Sequence, residues 1–439
     1  MGGDNDYIVA RAEREDAQDE RPGAAADGAE DARAAEKERV NRFCEELSAS
    51  LADYADGLTS TVEETACARK LRDELSPYAV TRLEAFRTSP YAGRNCCGLL
   101  GAVYALAAVF YFVSFGGSRA DGVILVLVAL GIFVCGGVAA GAAFLGAEKA
   151  VKCLYPKKVS YNVFSENMPL KKQQGNKLVV IASNHDASPG SYFVNFSLVR
   201  KVVFTVVPVS AVLFVMFCLV KIFVGSDTVA KITSLSVIPF INALAGISAL
   251  VLHFSPFQRH ARENNGVATS VSAAVYRRLL ASPELLPEGT RVCFVSFGGE
   301  NSAHAGSRAF AAAHPETKGA LALVIGDIQS SATALVKKDA LRGIEFSHSA
   351  QEALFGAVED TGVPCLLPPC DGLKSKLNAL HGYSADALAG TGCECAVFVA
   401  KDYGGKGEDF RSKDASGLFE LALGTIVKMA WKREEKNDD

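Results

Sequence analysis

Four apolar runs, residues 96–117, 122–146, 202–225 and 233–254, constrain this chain more than any other feature. Crossing a bilayer as a helix takes about 20 apolar residues, and each run reaches that length. The first two are separated by SRAD and the last two by SDTVAKI, which predicts two helical hairpins. Pro208 and Pro239 fall inside runs, where membrane helices tolerate proline if neighbours satisfy the freed backbone groups. The alternative, two buried core hairpins of a large soluble protein, must account for core helices of this length with almost no charge. Each hairpin returns the chain to the side it left. Arg82, Arg87, Arg94, Lys149, Lys152, Lys157, Lys158, Arg200, Lys201, Arg259 and Arg262 flank the runs there, against Arg119, Lys221 and Lys231 at the short turns. The positive-inside rule therefore predicts an integral membrane protein with four transmembrane helices, its soluble segments and both termini cytoplasmic.

Composition fits that expectation, with 49 % hydrophobic residues. A net charge of −4 and the lack of any long Lys/Arg run argue against a nucleic-acid partner. Residues 1–38 carry twelve Asp/Glu against five Lys/Arg and predict an acidic, disordered tail. Of the twelve cysteines, Cys96, Cys97, Cys135 and Cys218 lie in apolar runs and the rest show no framework spacing, so reduced thiols are expected over disulfides. The pair Cys393 and Cys395 reads either as a metal-binding CxC or as part of a buried strand.

Outside the runs, Val40, Phe43, Leu47, Leu51, Tyr54 and Leu58 recur at helical spacing, and a second helix is predicted over 62–75, after Thr61 and before Pro77. KLVVIASNHD reads as a buried strand with a polar end. GVATSVSAAVYRRLL follows as a helix, then strand RVCFVSF, helix SRAFAAAH, strand ALALVIGD, helix AQEALFGAVEDTG, strand CAVFVA and a helix over 416–431. This alternation predicts an α/β three-layer sandwich with a mostly parallel mixed sheet, interrupted by the two hairpins. The expected division is the tail at 1–38, N-terminal helices at 39–95, hairpins at 96–146 and 201–255, and the α/β domain completed by 147–200 and 256–439. In such sheets, chemistry sits at the carboxyl ends of the strands. Asn184, His185 and Asp186 follow one strand, Glu300 and Asn301 another, and Asp327 a third; Glu263 opens a helix and Arg411 follows a glycine-rich loop. Each reads singly as a cap or turn residue, and together as a site.

The stretch FGGENSAHAGSRAF is similar to the Phe-Gly-Ala-Glu-Glu segment of metallopeptidase family 28, the co-catalytic zinc aminopeptidases, a family that also contains glutaminyl cyclases. STVEETACARKLRDEL, SYNVF and GYSADALAGTGCECAVFVA resemble further family segments. The resemblance implies metal-assisted hydrolysis of N-terminal peptide bonds, with two zinc ions acidifying a water that a Glu deprotonates. It places Glu300 as general base, and His185, Asp186, Glu263 and Asp327 as candidate metal ligands. It also places Asn184, Asn301 and Arg411 where the family carries ligands. The Asn amide is a neutral donor and the Arg guanidinium cannot ligate a metal, so one zinc or none is expected rather than two. Arg411 is then a fixed charge offsetting the carboxylates. Three functions follow: a membrane-anchored aminopeptidase-like hydrolase, an inactive pseudopeptidase that binds a peptide or protein terminus near the membrane, or a transport or assembly module of the membrane segments carrying a regulatory domain, against which stands the lack of intramembrane charges marking a path. His304, His314, His348 and His381 are further candidate ligands or ordinary helix and loop residues.

Overall fold

A computed structural model of the protein describes residues 8–10, 25–54, 57–90, 96–115, 118–144, 156–167, 177–189, 197–224, 261–263, 265–300, 302, 304–328, 333–339, 342–367, 383–400 and 415–438. The chain forms two compact units. One comprises 1–88, 158–188 and 263–439, and the other 89–157 and 189–262.

Among the described residues, the first unit is built on a nine-stranded sheet. Its members in chain order are β1 (Ile8–Ala10), β2 (Val80–Thr88), β3 (Lys158–Glu166), β4 (Leu178–Asn184), β7 (Arg291–Phe297), β8 (Leu321–Ile328), β9 (Ala334–Val336), β12 (Cys365–Leu367) and β13 (Glu394–Ala400). The intervening β5 (Ser188–Pro189), β6 (Ala261–Glu263), β10 (Lys338–Asp339) and β11 (Ile344–Glu345) are short. The sheet order is β1-β12-β9-β13-β8-β4-β7-β3-β2. The central strands β13, β8, β4 and β7 run parallel, whereas β2 and β3 join antiparallel. The expected parallel sheet is thus found at the centre, and antiparallel pairs flank it because β2 and β3 are adjacent in the ladder and opposed in direction.

Alternation along the strands sorts two cores. Val179, Ile181, Leu321, Leu323, Phe294 and Phe398 face helices α1 (Ala25–Ala52), α2 (Val62–Leu75), α6 (Gly266–Ala281), α8 (His348–Thr361) and α10 (Ala415–Asp438). Leu178, Val180, Ala182, Cys293, Val295, Phe297 and Val397 face α7 (Ala305–Ala313) and α9 (Ala385–Ala389). This is the three-layer arrangement expected. Helix α1 begins inside the segment predicted to be disordered, because AADGAEDARAAEKE is rich in alanine, the strongest helix former. Cys44, Leu47 and Leu51 on the same helix are buried.

Helix α2 starts where its sequence requires. Thr61 is extended at φ −94° and its hydroxyl accepts the Glu64 amide at 3.2 Å, satisfying one of the free first-turn donors. Thr61→Ala is expected to destabilise this unit by about 1 kcal/mol, read as a lower denaturant midpoint.

The second unit holds α3 (Cys96–Val113), α4 (Arg119–Phe144) and α5 (Ser197–Val224). They meet in an aromatic cluster in which Tyr104 stacks on Phe133 at 4.6 Å and Phe133 lies 4.9 Å from Phe214. Lys221 is buried there, bonded to Ser114 and 3.2 Å from the Phe115 ring centroid. Helix α5 continues through Pro208. Leu127, Val138, Val209, Val212, Met216 and Phe223 are exposed apolar residues of this unit. One helix among the described residues, over Arg119–Ala139, is long and apolar enough to cross a membrane. The expected four spans are not supported: within α3 and α5 the apolar stretches with described side chains, Ala102–Val113 and Ala211–Phe223, are shorter, and the fourth run lies outside the described residues. Nor is a cytoplasmic orientation supported, since it was inferred from the flanks of those four spans.

Candidate functional site

The parallel register brings three strand ends to one edge. Asn184 of β4 pairs with Phe297 of β7, and Ala182 with Val324 of β8, so the residues following these strands emerge together.

Glu300 sits in the turn after β7. Gly299 has a φ of +64°, a left-handed conformation that favours glycine. A Cβ on Gly298 would lie 2.4 Å from the Tyr161 carbonyl oxygen, and one on Gly306 would lie 2.0 Å from the Gly298 oxygen. The turn therefore closes against β3 and α7 only because both positions are glycine. Asn162 of β3 ties them together, accepting from the Gly298 amide at 3.2 Å and donating to the Gly306 carbonyl at 3.0 Å.

The Glu300 carboxylate is buried and turned into the start of α7. Oε1 accepts the Ser307 amide at 2.7 Å, while Oε2 accepts the Ser307 hydroxyl at 3.1 Å and contacts His304 Nδ1 at 2.9 Å. His304, at the N-cap with φ 53°, supplies no side-chain cap of its own. Glu300 fills that role, where the helix terminus favours a negative charge. His304 is thereby placed as a partner of Glu300, a contact four residues apart along the chain.

Beneath the turn lies a carboxylate that strand-end reasoning missed. Glu64 is 1 % exposed and accepts from the Gly299 amide at 2.8 Å, the Ser160 hydroxyl at 2.7 Å and the Ser60 amide at 2.5 Å. Burial pushes its pKa up to about 8, with the negative charge of Asp186 adding to the effect against the hydrogen bonds. The Thr61-x-x-Glu64 spacing of a capping box was its one sequence signal. Ser60 in this loop also adopts a positive φ of 61°.

Residues 184–186 diverge. The Asn184 side chain faces β8, its Oδ1 being 3.3 Å from where a Cβ on Gly326 would sit. His185 points to the opposite face, with Nδ1 3.0 Å from the Ser296 hydroxyl. Its Nε2 has no hydrogen-bond partner among the described residues, and the ring lines a cavity of about 10 Å³ with Cys67, Asn265 and Thr269. That space suits a single water. Burial pushes the His185 pKa down to about 4, against the opposing effect of the Glu300 charge, so the ring is neutral at neutral pH. Asp186 is buried, with Oδ2 accepting the Thr59 hydroxyl at 3.0 Å and its carbonyl accepting from Asn265 at 2.9 Å.

Glu263 lies on β6 and Asp327 on β8, but their side chains, with Asn301, Arg411 and His381, lie outside the described residues. Among the described residues no group of three or more His, Cys, Asp and Glu could hold a metal ion. Asn184 and His185 occupy opposite faces, and Glu300 is bonded into a helix start, so the described donors do not fit a two-zinc centre. Cys395 lies in the buried strand β13 and Cys393 just before it, both buried, the Cys393 thiol donating to the Thr317 carbonyl at 3.0 Å. His348 is exposed beside Glu352 at 3.7 Å, and His314 bonds Glu84 and Glu316.

No protein family and no curated protein matches the chain. Among solved structures, a glutaminyl cyclase from Fimbriiglobus ruber matches with a TM-score of 0.42 and 12 % identity, over 89 % of this chain and 95 % of that one. An aminopeptidase from Aneurinibacillus sp. strain AM-1 matches with a TM-score of 0.43 and 12 % identity, over 90 % and 93 %. A zinc aminopeptidase from Bacillus subtilis matches with a TM-score of 0.44 and 10 % identity, over 89 % and 94 %. Likeness of this degree assigns neither an activity nor a ligand.

Proposed function

We propose that this chain is a membrane-tethered, non-hydrolytic relative of the zinc aminopeptidases, a pseudopeptidase that works by binding rather than by cleavage. One observation carries the reading: both oxygens of Glu300, the carboxylate that would serve as base, are engaged by Ser307 and His304 at the start of α7. A general base must reach the proton it removes, directly or through one water. Here the carboxylate is spent on a helix terminus instead. Asn184, in the position where the family resemblance expects a ligand, adds a neutral amide that is a poor zinc donor.

Exposed apolar residues on α3, α4 and α5 support the tether, since large apolar side chains exposed on all three helices call for lipid or protein cover. On this reading the ligand is a peptide or protein terminus near the bilayer. The test uses the full chain in detergent, incubated with zinc, dialysed, and assayed for bound metal and for hydrolysis of an aminoacyl amide. No stoichiometric zinc and no turnover above a Glu300→Gln control is the expected result. About two zinc ions per chain with Glu300-dependent turnover would instead establish the hydrolase.

A further inference from the structure

Away from the strand-end site, one edge of the described sheet carries a cluster that neither reading of the function uses. Among the described residues, strand β2 is the last in the sheet order and pairs with β3 alone, from Val80↔Glu166 to Thr88↔Lys158. Against it lies His314, at the end of α7. We propose that His314 is a protonation-controlled clasp, which holds edge strand β2 to the α7–β8 connection while its ring is an imidazolium and slackens when the ring loses a proton.

Geometry sets the charge. His314 Nε2 is 3.0 and 2.9 Å from the two oxygens of Glu84 on β2, and Nδ1 is 2.8 Å from Glu316 Oε1. An ionised carboxylate only accepts hydrogen bonds, so a ring bonded to one at each nitrogen must donate from both. A neutral ring would point a lone pair at one of the two carboxylates. His314 is 6 % exposed, and its ring stacks on Phe164 at 4.8 Å and packs at a tilt against Phe310 at 4.5 Å, aromatic neighbours that favour a cation.

The surrounding charges agree. On β2, Arg82 bonds Glu84 at 3.1 Å, pairs with Glu166 of β3, and lies 4.5 Å from the Phe164 ring centroid. Burial opposes ionisation of Glu84, but hydrogen bonds and charge from His314 and Arg82 outweigh it and lower its pKa. Burial likewise opposes the charge on His314, and Glu84 and Glu316 together outweigh it, raising the pKa above the usual histidine value. The Cys293 thiol feels the charges of Glu84, Glu166 and Glu316, and burial raises its pKa and that of Cys393, keeping both protonated.

The sign follows. A histidine pKa raised on folding contributes stability that is complete below the unfolded value and lost as pH rises through the folded one. The effect is about tenfold in the opening equilibrium per pH unit of separation.

The experiment is hydrogen exchange of the full chain in detergent between pH 6 and 9, corrected for intrinsic rates. In the wild type, residues 80–88 are expected to lose roughly tenfold in protection as pH rises, ahead of the central strands. His314→Gln is expected to show low protection at pH 6 and no further pH-dependent loss. Glu316→Gln, which removes one acceptor and leaves the ring in place, should move the wild-type midpoint to lower pH and covers the case in which His314→Gln fails to fold. Protection of 80–88 that does not vary with pH in the wild type, or an unmoved midpoint in Glu316→Gln, overturns the clasp.

Discussion

Glu300→Ala is expected to destabilise the α/β unit by about 3–5 kcal/mol, the range for breaking a buried, charged hydrogen-bond group and leaving its partners unpaired. The Ser307 amide, the Ser307 hydroxyl and His304 Nδ1 all lose their acceptor in one step at a buried position. Glu300→Gln keeps an oxygen for the Ser307 amide and gives up the charge, so about 1–2 kcal/mol is expected. Trp431, the single tryptophan, lies on α10 and donates to the Leu285 carbonyl at 2.9 Å. Its fluorescence therefore reports unfolding of this unit in the full chain. A base used for catalysis predicts another pattern: Gln abolishes turnover and leaves the denaturant midpoint where it was. The two roles of Glu300 are separated by a single pair of measurements.

Gly306→Ala carries the other large effect, a loss of at least about 3 kcal/mol or failure of the unit to fold. The added Cβ would meet the Gly298 carbonyl oxygen at 2.0 Å and Asn162 Oδ1 at 2.7 Å. The first is backbone of the Glu300 turn, and the second is held by its bond to the Gly298 amide, so neither can move without opening the site. Gly417→Ala is the control. It lies within α10 and meets only the Val363 side chain, at 3.5 Å and beyond, so alanine there is expected to be neutral or to stabilise by up to about 1 kcal/mol. A tolerated Gly306→Ala, read by the same tryptophan signal, would show that α7 does not need its close approach to the turn.

Local pattern was enough for much of the fold. The predicted helix over Val62–Leu75 and the strand RVCFVSF coincide with α2 and β7, since a capped amphipathic stretch and a bounded apolar run specify their own backbone. Strand β2 was not anticipated. Its sequence, VTRLEAFRT, mixes charge with apolar residues because it lies at the sheet edge, and only pairing with β3 over nine residues makes it a strand. The N-terminal limit of α1 was misplaced for a related reason: net charge suggested disorder, while alanine content and a buried face further along favour helix.

The site divides in the same way. Sequence by itself determined that polar residues gather at the ends of β4, β7 and β8, and that Asn184 and Asn301 are neutral where a metal site would use charge. It also set the glycines of the turn and the apolar character of the second unit. Only the tertiary structure decided that Asn184 and His185 face opposite ways, that Glu300 closes a helix start, and that Glu64 supports the turn from 235 residues away. His314 reaches Glu84 across a separation of 230 residues. The physical reason is common to all of them. Periodicity and capping are properties of neighbours along the chain, whereas a hydrogen bond between distant side chains exists only once strand register has brought their backbones to within a few ångströms.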